Sequence, residues 1–219
     1  MVHIEDGKTS TKFICDHCKK NIFLIGDSIR LGYCEVVREQ LLELAEVFYV
    51  SENCRNTQYV ITNMNTWANM FDAPERVDIV QFNCGHWDTA HWCDGEKPLT
   101  SEMEYKRNIK IIIDMIRKLF PNAKIVFATT TTMNPNGIKG VNYRTNAEIS
   151  RYNELATEVV LENGVEINDL HAVTKAWDSS YYDDYCHFTP QANKVLGEIV
   201  ANALKCKCER YCDFVRRYD

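Results

Sequence analysis

Five short apolar runs, each followed by a stretch with helical periodicity, constrain what this chain can fold into more than any other feature. The runs cover residues 21–25, 47–51, 77–82, 124–129 and 165–168. Between them, residues 33–46 carry Val36, Val37, Leu41, Leu44 and Ala45 at helical spacing, and residues 58–71 carry Val60, Ile61, Met64, Trp67 and Phe71. Residues 101–120 open with the capping box Ser101-x-x-Glu104 and stop before Pro121. Residues 145–162 end at Asn163-Gly164, and a last helix runs over residues 190–205. Strict alternation of strand and helix predicts an α/β fold: a three-layer α/β/α sandwich around a five-stranded parallel sheet, with right-handed crossovers.

A chain of 219 residues, 45% hydrophobic, can bury a substantial core, and no linker separates two units in it. The expectation is one domain over residues 21–205, an N-terminal extension over residues 1–20, and a C-terminal extension of the last helix, or a tail, over residues 206–219. A net charge of −6 gives no reason to expect a nucleic-acid or anionic-membrane partner and favours a small uncharged or cationic substrate. With no long apolar run and no basic-then-apolar leader at residues 1–8, the chain reads as soluble and cytoplasmic. Its ten cysteines are then expected as free thiols. Cys15-x-x-Cys18 and Cys206-x-Cys208-x-x-x-Cys212 would reach zinc only if the termini met, and the second spacing is not a standard knuckle, so no metal is expected.

The chemistry lies at one strand end and at the start of the last helix. Gly26-Asp27-Ser28 follows the run Ile22-Phe23-Leu24-Ile25, and Asp184-x-x-His187-Phe188-Thr189-Pro190 precedes the last helix. A serine hydroxyl needs an imidazole to take its proton and a third group to hold that imidazole's tautomer. Ser28, His187 and Asp184 can fill those roles, with the N–H groups after Ser28 opening a helix and binding an oxyanion. Thr189 as N-cap and Pro190 at the first helical position pin the His187 loop to the last helix. Asp183 is the alternative third group. Cys84 and Cys186 flank the site without a base of their own, and His86 and His91 fall in the same loop region.

Ile25-Gly26-Asp27-Ser28-Ile29 and Asp184-x-x-His187-Phe188-Thr189-Pro190 resemble blocks I and V of the GDSL/SGNH hydrolase family, and the resemblance runs from about Asn21 to Leu204. It implies a flavodoxin-like fold, Ser28 as nucleophile, His187 as base, Asp184 as its orienter, and no metal or organic cofactor. The family's third block, Gly-x-Asn-Asp, donates an Asn side chain to the oxyanion. Here the stretch is Phe82-Asn83-Cys84-Gly85-His86-Trp87-Asp88, with Trp87 at the Asn position. Asn83, or the N–H groups of Ser28 and Gly85, would replace that donor. The second block reads Ser51-Glu52-Asn53-Cys54-Arg55-Asn56-Thr57, and together with Asn-x-Gly-x-Trp-Asp it looks like a bacterial subset of these hydrolases. Arg55 or Asn56 is then the second contact, and Asp27 and Trp87 complete the candidate substrate-facing set. Asn83 and Asn53 are equally turn formers, and the tryptophans equally packing residues.

The resulting expectation is a serine esterase acting on a small acyl ester, acetyl first, with an acylated sugar as one candidate substrate. An acyltransferase and a non-catalytic ligand-binding relative on the same fold remain as alternatives. A flavin carrier of the same topology is disfavoured, because the first loop lacks the hydroxyl residues and glycines that a flavin phosphate needs.

Overall fold

The computed structural model describes residues 3–5, 8–10, 12–93, 95–137 and 142–215, with side chains described between 12 and 208. Strands β1 (His3–Glu5) and β2 (Lys8–Ser10) form a separate antiparallel pair. The main sheet is built from β3 (Lys20–Ile25), β4 (Ala45–Tyr49), β5 (Ile79–Phe82), β6 (Lys124–Ala128) and β7 (Glu166–Asn168). All pairings in it are parallel, in the order β4-β3-β5-β6-β7. The strand order reverses at β3, which places a crevice at its carboxyl end.

Alternation along each strand feeds two separate cores. In β3, Phe23 and Ile25 enter one cluster while Ile22 and Leu24 enter the other, and in β6 Phe127 and Val126 part in the same way. The first core is covered by α2 (Thr57–Ala68), α3 (Glu102–Leu119) and α4 (Asn146–Glu162), the second by α1 (Ser28–Leu41) packed on α6 (Pro190–Val215). These are the three layers expected from the sequence, completed by the short helix α5 (Leu170–Thr174).

Several boundaries differ from the sequence reading by a few residues, the first helix most of all. The first helix begins at Ser28 and stops at Leu41, because Asp27 caps it and Ala45 and Val47 are claimed by pairing with Lys20 and Ile22. The last helix continues to Val215, the first of the two alternatives given for residues 206–219. The segment before β3 belongs in part to the core: Cys15 is buried, and the Phe13 ring lies 5.0 Å from Phe71 and 5.3 Å from Phe48. Among the described residues no helix is long and apolar enough to cross a membrane. The described cysteines are free thiols. Cys18 and Cys208 line one cavity, the Cys15 thiol instead donates to Ala73 O, and the Cys212 side chain lies outside the described residues.

Candidate active site

Three consecutive residues after β3 set the nucleophile candidate. Gly26 passes beneath Asn83 so closely that a Cβ would stand 1.9 Å from Asn83 Oδ1, nearer than any side-chain contact. Asp27 is extended and caps α1, its Oδ1 accepting from the Ile29 N–H at 3.0 Å. Ser28 is therefore the first helical residue, and its hydroxyl sits at the positive end of α1 on the crevice edge of the sheet.

Beneath it lies a buried polar frame. Asp27 Oδ1 also accepts from Asn83 Nδ2 at 3.1 Å. Burial pushes the Asp27 carboxyl above its usual range, against the pull of those two donors and of the charges on Arg144 and Arg30. Arg30 is fully buried and donates to Val50 O at 2.7 Å, Glu52 O at 2.8 Å and Gly26 O at 3.0 Å. It thereby ties the turn after β3 to the turn after β4.

The base rides on a loop closed by the antiparallel bridge between Tyr182 and Phe188 and by the Asp183 N–H donating to His187 O at 2.9 Å. Thr189 Oγ1 caps α6 by accepting from the Ala192 N–H at 3.3 Å, and Asn134 Nδ2 donates to Asp184 O at 3.0 Å. His187 Nε2 stands 2.8 Å from Ser28 Oγ, and His187 Nδ1 stands 2.7 Å from Asp184 Oδ2. Asp184 Oδ1 accepts the backbone N–H groups of Cys186 and His187 at 2.8 and 2.7 Å. Partial burial would raise the Asp184 carboxyl, but these N–H groups and the imidazole outweigh it and hold the acid below its usual range. An ionised Asp184 keeps the proton on Nδ1 and leaves the Nε2 lone pair facing the serine hydroxyl. Asp183 is exposed and meets this loop through its backbone.

The other candidates divide between frame and crevice. Asn83 is buried, its amide engaged by Asp27, and Asn56 Oδ1 caps α2 by accepting from the Tyr59 N–H at 3.0 Å. Gly85 lies against Thr130, where a Cβ would stand 2.0 Å from Thr130 Oγ1. Arg55 adopts φ 51°, a left-handed conformation uncommon for a non-glycine. Its guanidinium lies 5.0 Å from the Tyr59 ring centre and 5.9 Å from that of Trp87. Trp87 is half-buried, 5.8 Å from the Trp92 ring, and these side chains border a cavity of about 440 Å³ with Asn56, Gln58 and Leu99. A larger hollow of about 660 Å³ sits at the amino ends of the strands, beside Lys20, Asp78 and Lys124, far from Ser28.

The sequence does not single out Asp88 as a site residue, whereas it sets His86, His91, Cys84 and Cys186 beside the site. Asp88 is fully buried, accepts from Thr57 Oγ1 at 2.6 Å and from the Thr57 N–H at 3.2 Å, and is pushed up to about 6 chiefly by burial. Its place three residues after Gly85 was the available clue. His86 is buried with Nε2 3.0 Å from Thr131 Oγ1, and burial pushes the imidazole well below its usual range. His91 is buried away from the serine, its ring nitrogens facing Gly95 O and Glu148 Oε1. Burial also pushes the Cys186 thiol up to about 12 and the Cys84 thiol well above its usual range, so neither is a thiolate nucleophile.

A model of the GDSL-like lipase/acylhydrolase family matches residues 24–195, from β3 into α6. The chain belongs to that family. As a member it is a carboxylic-ester hydrolase, and its fold matches solved structures of low sequence identity. A lipase/acylhydrolase from Enterococcus faecalis shares 17% identity and a TM-score of 0.67, over 86% of this hydrolase and 96% of that chain. An acetyl xylan esterase shares 17% identity and a TM-score of 0.66, over 84% and 98%. A carbohydrate acetylesterase from Sinorhizobium meliloti shares 13% identity and a TM-score of 0.66, over 86% and 99%. No curated protein sequence matches the hydrolase.

Proposed function

We propose that this hydrolase is a serine esterase that removes a small acyl group, acetyl first, through an acyl-enzyme. The observation that carries the reading is the unbroken chain from Ser28 Oγ through His187 to Asp184, at 2.8 and 2.7 Å. Ser28 Oγ attacks the ester carbonyl while His187 Nε2 takes its proton, and the alcohol leaves with that proton. Water then adds to the acyl-enzyme, gives its proton to His187, and the carboxylic acid departs as Ser28 regains its hydrogen. Asp184 stabilises the imidazolium at both steps. We assign the oxyanion to the Ser28 N–H at the start of α1, with the Gly85 N–H as second donor, and residues 83–88 to the Asn-x-Gly-x-Trp-Asp form of the third block. The Asn83 amide is engaged with Asp27, which supports a framing role for it.

The acyl acceptor is water in this reading and the alcohol a sugar. The cavity bordered by Arg55, Tyr59, Trp87 and Trp92 has the flat rings and polar edges on which a sugar packs. Two of the fold neighbours are named for acetyl groups on carbohydrate. We place this chemistry in the cytoplasm, which the free thiols support. Hydrolysis of a chromogenic acetyl ester by the parent and by Ser28→Ala, at a pH where His187 is neutral, tests the reading. Turnover that vanishes with Ser28 is expected; turnover surviving in Ser28→Ala sinks it. A sugar hydroxyl that diverts acyl groups from water would make the protein an acyltransferase.

A further inference from the structure

Arg144 lies on the opposite flank of the crevice from Arg55. Residues 53–56 follow β4, whereas Arg144 immediately precedes α4, after β6, on the other side of β3 and β5. Its position is rigid: Tyr143 O accepts from the His91 N–H at 2.8 Å, Thr145 forms a capping box with Glu148, and Asn146 Oδ1 accepts from the Met133 N–H at 2.7 Å. The side chain is 93% buried, being 7% exposed.

What surrounds this cation is unusual. Arg144 Nη1 donates to Cys186 Sγ at 3.7 Å, and that sulfur is 3.7 Å from His187 Nδ1. The guanidinium also lies 5.6 Å from the Tyr185 ring centre, whose ring is 6.2 Å from that of His187. The Nε N–H has no acceptor, and among the described residues no carboxylate lies within ion-pair distance of Arg144. Asp27 feels its charge without reaching it, and Asp27 Oδ2 is itself without a donor. A buried guanidinium held only by a thiol and a ring costs several kcal/mol unless an anion completes it.

Resting on the Ser28 reading, we propose that Arg144 binds a carboxylate carried by the ester substrate, so that the preferred ester is a carboxylated one. The planar fork of arginine suits a carboxylate bidentately. A single cation whose charge already acts on the buried Asp27 favours a monoanion over a doubly charged phosphate. The overall negative charge of the chain points the other way, toward uncharged or cationic substrates, so Arg144 is a local exception that selects one ester from many.

The test compares 4-acetoxybenzoate with its neutral methyl ester, following release of the acetyl group by the parent, Arg144→Gln and Arg144→Lys. Arg144→Gln is expected to lower kcat/KM for the carboxylated ester about ten-fold or more beyond its effect on the neutral one, with partial recovery in Arg144→Lys. In the parent, free benzoate should compete at about ten-fold lower concentration than benzamide. That comparison needs no variant to fold. Equal losses on both esters, or benzoate no better than benzamide, overturn the proposal and leave Arg144 as a support for the Cys186–His187 loop. Turnover that persists in Ser28→Ala overturns the esterase reading instead, whichever ester Arg144 prefers.

Discussion

The groups proposed to react and the bed beneath them are opposites in exposure. The His187 and Asp184 side chains are 40% and 44% exposed, whereas Asp27, Arg30 and Asp88 are fully buried and Asn83 nearly so. The buried set links the turns after β3, β4 and β5: Arg30 reaches Glu52, Asn83 reaches Asp27, and Asp88 reaches Thr57. In a low-dielectric interior such bonds are stronger and hold one geometry, so the crevice walls are set before any substrate arrives. The half-exposed face keeps the opposite property. Water can reach the proposed acyl-enzyme there, which a hydrolase requires. In the proposed reading, precision comes from the dry layer and turnover from the wet one.

That division predicts rate effects at the wet face and stability effects in the dry bed. The largest change is expected at the wet face: Asp184→Asn should lower kcat by about 10⁴-fold, through loss of the correct tautomer, with a folded state close to the parent's. An unfolding midpoint that collapses together with the rate would show that Asp184 belongs to the bed. Next comes Gly26→Ala, whose new Cβ meets Asn83 Oδ1 and the Arg30 side chain; overpacking there should cost about 1–3 kcal/mol or more, read in denaturant. A stable, active Gly26→Ala protein would mean that the frame yields easily.

Comparable in size, but confined to one pH window, is the effect of Asp88→Asn, visible as a change in how stability depends on pH. The folded Asp88 carboxyl is at about 6 against an ordinary 3.8, so the folded state holds its proton more tightly than the unfolded chain. Its contribution is fullest below about pH 4 and is lost as pH rises through about 6, a difference of roughly 3 kcal/mol. Asp88→Asn should flatten the parent's fall across that window, measured as unfolding midpoints against pH; an unaltered slope would remove Asp88 as its source. The smallest effect on folding belongs to Arg55→Ala, which gives up exposed ring contacts worth about 0.5–1 kcal/mol while raising KM for a sugar ester over a simple aryl ester. If KM for both esters moves alike, the cavity beside Trp87 is not a sugar site.

Much of this was legible in the chain. The alternation Ile22-Phe23-Leu24-Ile25 already demands a strand buried on both faces, and helix signals such as Ser101-x-x-Glu104 and Asn163-Gly164 stand where α3 begins and α4 ends. Ser28, Asp184 and His187 could be singled out because each sits beside a local punctuation, a strand end or a helix cap, and local signals survive in sequence. Helix ends were less legible, as at α1, because strand pairing overrides propensity where Ala45 must face Lys20.

By itself, then, the sequence determined the layer order, the number of strands in the main sheet and the three residues proposed to react, since these follow from periodicity and capping within a few residues, while the antiparallel pair β1–β2 went unread. Only the tertiary structure decided that His187 meets Ser28 across 159 positions, that Asn83 serves Asp27, and that Arg144 ends buried beside Cys186. Those contacts are non-local. No spacing along the chain encodes them, and they exist only once the sheet brings the turns after β3, β5 and β6 and the loop before α6 to the same edge.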